Sequence, residues 1–394
     1  MASSLFRPAI VTTRALPPSF FVPFVPSWFL HFPPCCEPRL MPKTTSSSAD
    51  SPSLVAGIDL GGTAVNVTLL AQDGQFLIDG LCEHPARSVE GPQVCLQQIA
   101  AGLDQALDRA GASRGDLAAV GLDTPGPASA AGVLSRRGST NFVHSDWAGF
   151  DIRGGLAALL GLPVHYLNDG NAAAVWGHAS MFGTEPGRTS VAAIIGTGLG
   201  GGIIHNGTVV AGSHGFGGEL GHVLLPVAAL VEQLPDLAGV APHCNCGRTG
   251  DLESLCSLTA IRQNLLPHFL PRFPGHELAG VEPAAAAVRV RGLAAAGDPM
   301  CRAIFQVQAR GLGLFFDQMI NVFDPDALIV GGGAIETATE FQQWFLAEVR
   351  GGLPRQREEQ AEIPIAIMPD GDTAGARGAA IEAQRLLADR ATTR

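Results

Sequence analysis

From Leu54 onward the chain sets short apolar runs against turn residues and longer helical repeats. Leu54–Leu60 is an apolar run closed by Gly61-Gly62-Thr63. Val65, Val67 and Leu69 alternate behind it as far as Asp73-Gly74, a hairpin turn signal. The pattern reads as strand, glycine turn, strand, with Asp59 near the end of the first strand. Leu96, Ile99, Leu103 and Leu107 recur at helical spacing and predict a crossover helix over 92–110. Ala118–Leu122 predicts a further strand, stopped by Pro125-Gly126-Pro127. Val164–Leu167 predicts another, which runs into Asn168-Asp169-Gly170-Asn171 and an alanine-rich helix over 171–181.

The second half repeats the opening device. Ser190–Ile195 predicts a strand, Gly196–Gly202 a loop, Ile203-Ile204 a resumed strand, and His205-Asn206-Gly207 the next turn. A helix over 299–322 precedes the strand 327–330, which ends on Gly331-Gly332-Gly333, and an alanine-rich helix covers 374–390. A strand–glycine–strand hairpin in each half predicts two α/β lobes of related build with a cleft between them. Gly196-x-Gly198-x-x-Gly201 has the spelling of the dinucleotide fingerprint. That fingerprint needs a helix next, whereas Ile203–Val210 reads as a β-hairpin, which argues against a dehydrogenase. Close approach of backbone to a phosphate explains so dense a run of glycines better than a tight turn alone.

Composition narrows the chemistry. The 394 residues are enough for two or three domains, and the 49 glycines follow no collagen period. A net charge of −11 argues against a nucleic-acid binder. Of the 25 basic residues only Lys43 is lysine and 24 are arginine, so beyond position 43 no P-loop or protein-kinase lysine exists. A phosphate site here must use backbone N–H groups and a cation. Eight cysteines are too sparse for a disulfide scaffold and predict reduced thiols in a cytoplasmic protein, with Cys82, Cys95 and Cys301 as small core residues. No apolar run of about 18 residues exists, so no membrane association is expected. Residues 1–52 hold ten of the 28 prolines and only two acids. They are expected to be a disordered extension or translated upstream sequence ahead of Met41, a transit segment being the alternative.

Taken in order, Asp59–Thr63, Asn168–Ala173, Gly196–Gly202, Gly218–His222 and Cys244–Glu253 resemble the ROK sugar kinases, over about residues 54–390. The resemblance implies a two-lobed actin-like (RNase H-like) ATPase fold. Its lobes would be 53–170 and 171–394, with the terminal helix packing back on the first. It implies ATP-dependent phosphorylation of a hexose 6-hydroxyl, glucokinase being the first reading. N-acetylmannosamine or N-acetylglucosamine kinase and fructokinase are the alternatives. A ROK-type sugar-sensing repressor carries a winged-helix domain of ~80 residues, and the region before Leu54 is too short and too proline-broken for one.

The same resemblance assigns residues. Mg-ATP phosphates would lie at Asp59, Gly61, Gly62 and Thr63 and at Gly196, Thr197, Gly198 and Gly200, with adenosine near Gly332 and Gly333. Many relatives carry lysine after the threonine, where this chain has Ala64. Asp169 would be the general base, its other reading being a helix N-cap. Asn141, Asn168, Glu219, His222 and Glu253 would bind the sugar. His222, Cys244 and Cys246 match three zinc ligands of the family, and Asp251 stands where the fourth is normally cysteine. Aspartate binds zinc through oxygen, so a structural site is chemically sound. A metal-free loop is the alternative, and Cys256 and His243 are substitutes of the wrong spacing. The implied partners are hexose, ATP and a second copy of the chain.

Overall fold

Among the residues described by the computed structural model (53–136, 141–183, 185–354 and 357–392), ten strands form two five-stranded sheets. The expectations for residues 1–52, and Gly138–Thr140 of the loop before Asn141, lie outside the described residues. The first sheet holds β1 (Leu54–Leu60), β2 (Ala64–Leu70), β3 (Cys82–Pro85), β4 (Leu117–Thr124) and β5 (Val164–Asn168), in the order β3-β2-β1-β4-β5. The second holds β6 (Ser190–Ile195), β7 (Leu199–His205), β8 (Thr208–Val209), β9 (Ala327–Gly331) and β10 (Ile365–Ile367), in the order β10-β9-β6-β7-β8. In each sheet three strands run as an antiparallel meander. Two more then join parallel to the first. The second sheet thus repeats the topology of the first, as the paired glycine hairpins lead one to expect.

Helices fill the crossovers. α1 (Pro92–Ala110) starts on Pro92, whose missing N–H costs nothing in a first turn, and ends on the left-handed Gly111. It buries Cys95, Leu96, Ile99, Leu103 and Leu107, the stripe that the spacing predicts. α2 (Ile152–Leu160) leads into β5, and α3 (Asp169–Phe182) leaves it. The C-terminal helix (Ala374–Thr392) lies against β1 and β4 so closely that no Cβ fits between. One built on Gly57 would lie 1.9 Å from Ala376 O, and one on Gly121 2.0 Å from Ala379 O. A Cβ on Gly378 would lie 1.8 Å from Ala172 O of α3. Ala376, Ala379, Ala380 and Ala383 are fully buried along this helix. Small residues therefore let one helix touch both the first sheet and α3.

One sequence expectation needs correction. Gly200, Gly201 and Gly202 belong to β7, opposite Ile194, Ala193 and Ala192, and the loop is confined to Gly196–Gly198. Packing explains two of these glycines. A Cβ on Gly202 would lie 2.6 Å from Ala174 Cβ of α3, and one on Gly201 would lie 2.9 Å from Leu220 Cδ1. A glycine run weakens the strand signal in sequence, and the neighbouring elements that demand it are remote in the chain. No helix among the described residues is long and apolar enough to cross a membrane.

Candidate active site

The hairpin β1–β2 turns at Gly61–Thr63, with Gly61 N donating to Ala64 O at 2.9 Å. Behind the turn, Ser88 Oγ donates to Gly62 O, and Ala86 N donates to Thr63 O at 2.8 Å. The second loop is fastened likewise: Leu258 N and Thr259 N donate to the carbonyls of Gly196 and Thr197 at 3.0 and 3.1 Å. The third, at Gly332, needs glycine, because its φ is +94° and a Cβ would lie 2.4 Å from Ile195 O. At Gly61, Gly62, Gly196 and Gly333 the protein imposes no such demand. None has a left-handed φ, and a Cβ would meet no atom closer than 3.5 Å. At those four positions the protein leaves the backbone open on the Cβ side.

Asn168 ends β5 and caps α3: its Oδ1 accepts from Gly170 N at 2.9 Å. The cap is thus Asn168, and Asp169 is the first helical residue, with Oδ1 accepting from Gly170 N at 2.7 Å. Asp169 reaches solvent yet is ringed by protein, and its carboxyl is raised to about 6. Burial is the main cause. The Gly170 N–H opposes it, and the charges of Asp59 and Glu219 add to the rise. Glu219 is itself raised, first by burial and then by Glu253, against the pull of His222. Asn168 Nδ2 and Glu219 Oε1 meet around Gly126, where a Cβ would lie 3.3 and 4.0 Å from them. Asn141 lies over the Gly61–Thr63 turn, 3.5 Å from where a Cβ on Gly62 would stand.

Glu253 has partners within the protein, and Cys244 Sγ donates to its Oε1 at 3.4 Å. Its Oε2 accepts from Leu199 N at 2.9 Å, so the carboxylate braces the Gly196–Gly198 loop. Gly198 is glycine for that reason, since a Cβ there would lie 2.5 Å from Glu253 Oε2. Segments 221–223 and 251–253 run side by side, with Glu253 N donating to Gly221 O at 2.8 Å and Leu252 N to Val223 O at 2.9 Å. This pairing brings His222 to Asp251.

His222 Nδ1 lies 3.1 Å from Asp251 Oδ2 and 3.9 Å from Cys244 Sγ, and Cys246 Sγ lies 3.4 Å from Asp251 Oδ2. The donor atoms of His222, Cys244, Cys246 and Asp251 all lie within 4.8 Å of one another. Bonds of about 2.0–2.3 Å to a tetrahedral zinc put ligand atoms roughly 3.3–3.8 Å apart, so the four residues fit the ion. The two substitutes do not join them. Cys256 is fully buried with its thiol donating to Gln308 O at 3.3 Å, and His243 faces Thr249 Oγ1 at 3.2 Å. Cys82, Cys95 and Cys301 are buried free thiols, as expected.

One acid escaped the sequence reading. Asp123, one residue before the end of β4, stands level with Asp59 on β1 and is wholly buried. The available signal was an acid at the end of an apolar parallel strand, two residues before Pro125-Gly126-Pro127.

The chain is similar to known proteins along most of its length. Residues 55–385 match the model of the ROK family. The chain is 31% identical over 284 residues to a glucokinase of Thermotoga maritima, covering 70% of this chain and 81% of that one. It is 28% identical over 335 residues to an N-acetyl-D-glucosamine kinase of Yersinia pseudotuberculosis, covering 82% of this chain and 97% of that one. It superposes, with a TM-score of 0.63 and 25% identity, on a ROK family glucokinase from Streptomyces griseus in complex with glucose and AMPPNP, covering 84% of this chain and 99% of that one. Two sheets of repeated topology, flanked by helices and matched along most of their length, are those of the actin-like ATPase fold, and the chain belongs to the ROK family.

Proposed function

We propose that this chain is an ATP-dependent hexose kinase that transfers the γ-phosphoryl group of ATP to the 6-hydroxyl of glucose, with Asp169 as general base. The observation that carries the reading is Asp169 itself. It is a carboxylate lifted to about 6 at the head of α3, next to Asn168 and in the field of the Asp59 and Glu219 charges. A sugar hydroxyl within about 3 Å gives its proton to this group as the oxygen attacks phosphorus, and ADP leaves with the electrons of the broken P–O bond. A carboxyl raised to about 6 is a stronger base than an ordinary aspartate and is still ionised at pH 7.

The backbone of Gly61–Thr63 and Gly196–Gly198 would hold the phosphates, and Gly332–Gly333 the adenosine. With Lys43 the single lysine of the chain, N–H groups carry the role a lysine has elsewhere. Magnesium, arriving with ATP, supplies charge neutralisation on the phosphates. Asn141, Asn168, Glu219, His222 and Glu253 would offer the hexose donors and acceptors, so that a sugar with one hydroxyl inverted leaves a polar group unpaired. Zinc, held by His222, Cys244, Cys246 and Asp251, would tie the His222 ring to the Cys244–Asp251 loop and stiffen one wall of the sugar site. An N-acetylhexosamine is the second reading, supported by the similarity to the Yersinia enzyme. The test is ADP release driven by glucose, N-acetylglucosamine, N-acetylmannosamine, mannose and fructose, with wild type and with Asp169→Asn.

A further inference from the structure

Asp123 and Asp59 are register partners on the parallel strands β1 and β4, so their side chains stand together on one face of the sheet. Both point at the start of the C-terminal helix, where a Cβ on Gly375 would lie 3.1 Å from Asp59 Cγ and 3.2 Å from Asp123 Oδ2. Asp59 reaches partway to solvent and accepts from Asn66 Nδ2 at 3.2 Å. Asp123 is fully buried, and neither of its oxygens receives a hydrogen bond from a donor.

An ionised carboxylate in that position has every disadvantage. It is out of water, without a donor, and the charged groups acting on it are two more acids, Asp59 and Asp169. Burial pushes its carboxyl well above the ordinary range, and the two acids push the same way. A proton on Asp123 removes the conflict: as register partners on one face of the sheet the two carboxyl groups are neighbours, and the neutral acid would be the donor its neighbour accepts from. The hydrogen bond from Asn66 holds the Asp59 carboxylate from another side.

We propose that Asp123 is a positioning residue for phosphoryl transfer, the buried donor that fixes the Asp59 carboxylate beside the Gly61–Thr63 turn. Asp123 touches neither sugar nor nucleotide and acts through Asp59 alone. This rests on the kinase reading for the role of Asp59, so the experiment reads nucleotide binding as well as turnover. Asp123→Asn keeps the shape and supplies an N–H donor, Asp123→Leu fills the space without one, and Asp123→Ala removes both.

Each protein is titrated with AMPPNP and magnesium by calorimetry, its KM values for ATP and sugar are measured, and its melting temperature is recorded. The Asn variant is expected to hold its AMPPNP Kd and KM for ATP within about threefold of wild type. The Leu and Ala variants are expected to weaken both about tenfold, the loss of one charge-assisted hydrogen bond, with KM for sugar unchanged. An Asn variant as impaired as Ala shows that the charge itself is needed and overturns the proposal. A Leu variant that melts normally and binds AMPPNP like wild type overturns it as well. Wild type that binds AMPPNP yet phosphorylates no sugar defeats the kinase reading and leaves the binding comparison decisive for Asp123. Wild type without affinity for AMPPNP defeats both.

Discussion

With Asp169 as the proposed general base, its raised carboxyl sets where catalysis should begin to fail in acid. A base titrating at about 6 in the free enzyme is about 90% ionised at pH 7 and about 9% ionised at pH 5. An ordinary aspartate near 3.8 would still be about 94% ionised at pH 5. The acid limb of kcat/KM should therefore drop about tenfold between pH 7 and pH 5, measured by ADP release at limiting sugar. Removing one contributor moves it: Glu219→Gln deletes a charge that raises Asp169, so its limb should shift to lower pH whatever its effect on the plateau. The stability consequence has the opposite sign. A carboxyl raised on folding makes the native state bind more protons than the unfolded one, so its unfavourable contribution is present above pH 6 and fades as pH falls toward 3.8. Asp169→Asn should accordingly melt above wild type at pH 7, with the difference vanishing near pH 4. A rate profile level down to pH 5, with an inflection near 4, would refute the reasoning.

Protein purified without added metal should carry about one zinc per chain, and Asp251→Ala should lose it with a several-fold rise in KM for sugar. A zinc-free protein of full activity contradicts the site. Gly121→Val should cost about 3 kcal/mol or more in denaturant unfolding, because its side chain enters the space of the Ala379 carbonyl. Gly292→Ala is the control: it lies in the helix Pro283–Ala295 with open space at its Cβ and should stabilise by up to ~1 kcal/mol. The Asp123 series above completes the set.

The parts of the fold that announce themselves in sequence are those whose pattern is local. α1 has the stripe at 96, 99, 103 and 107, and its bounds are those the spacing predicts. The helix expected over 299–322 runs Pro299–Phe323, capped by the Asp298 side chain on Cys301 N. What was hidden depends on partners distant in the chain. β7 reads as a loop because its glycines make way for Ala174 and Leu220. Gly57 and Gly121 look like ordinary strand residues until the C-terminal helix, some 250 residues or more away, occupies their Cβ positions. In the candidate site, the order of motifs names the candidates but not their posture. Asn168 takes the capping role that the sequence offered to Asp169, and Glu253 braces Leu199 rather than standing free. Asp123 carries no motif at all, and only the register of β4 on β1 reveals its company.

The most direct measurement is ADP release by wild type and Asp169→Asn across the five sugars, with glucose binding to each protein followed by calorimetry. The account predicts that glucose gives the highest kcat/KM with wild type. It also predicts that Asp169→Asn still binds glucose while its turnover falls by a factor of at least about 10². Asp169→Asn turning over at the wild-type rate, or wild type releasing no sugar-dependent ADP, would contradict it.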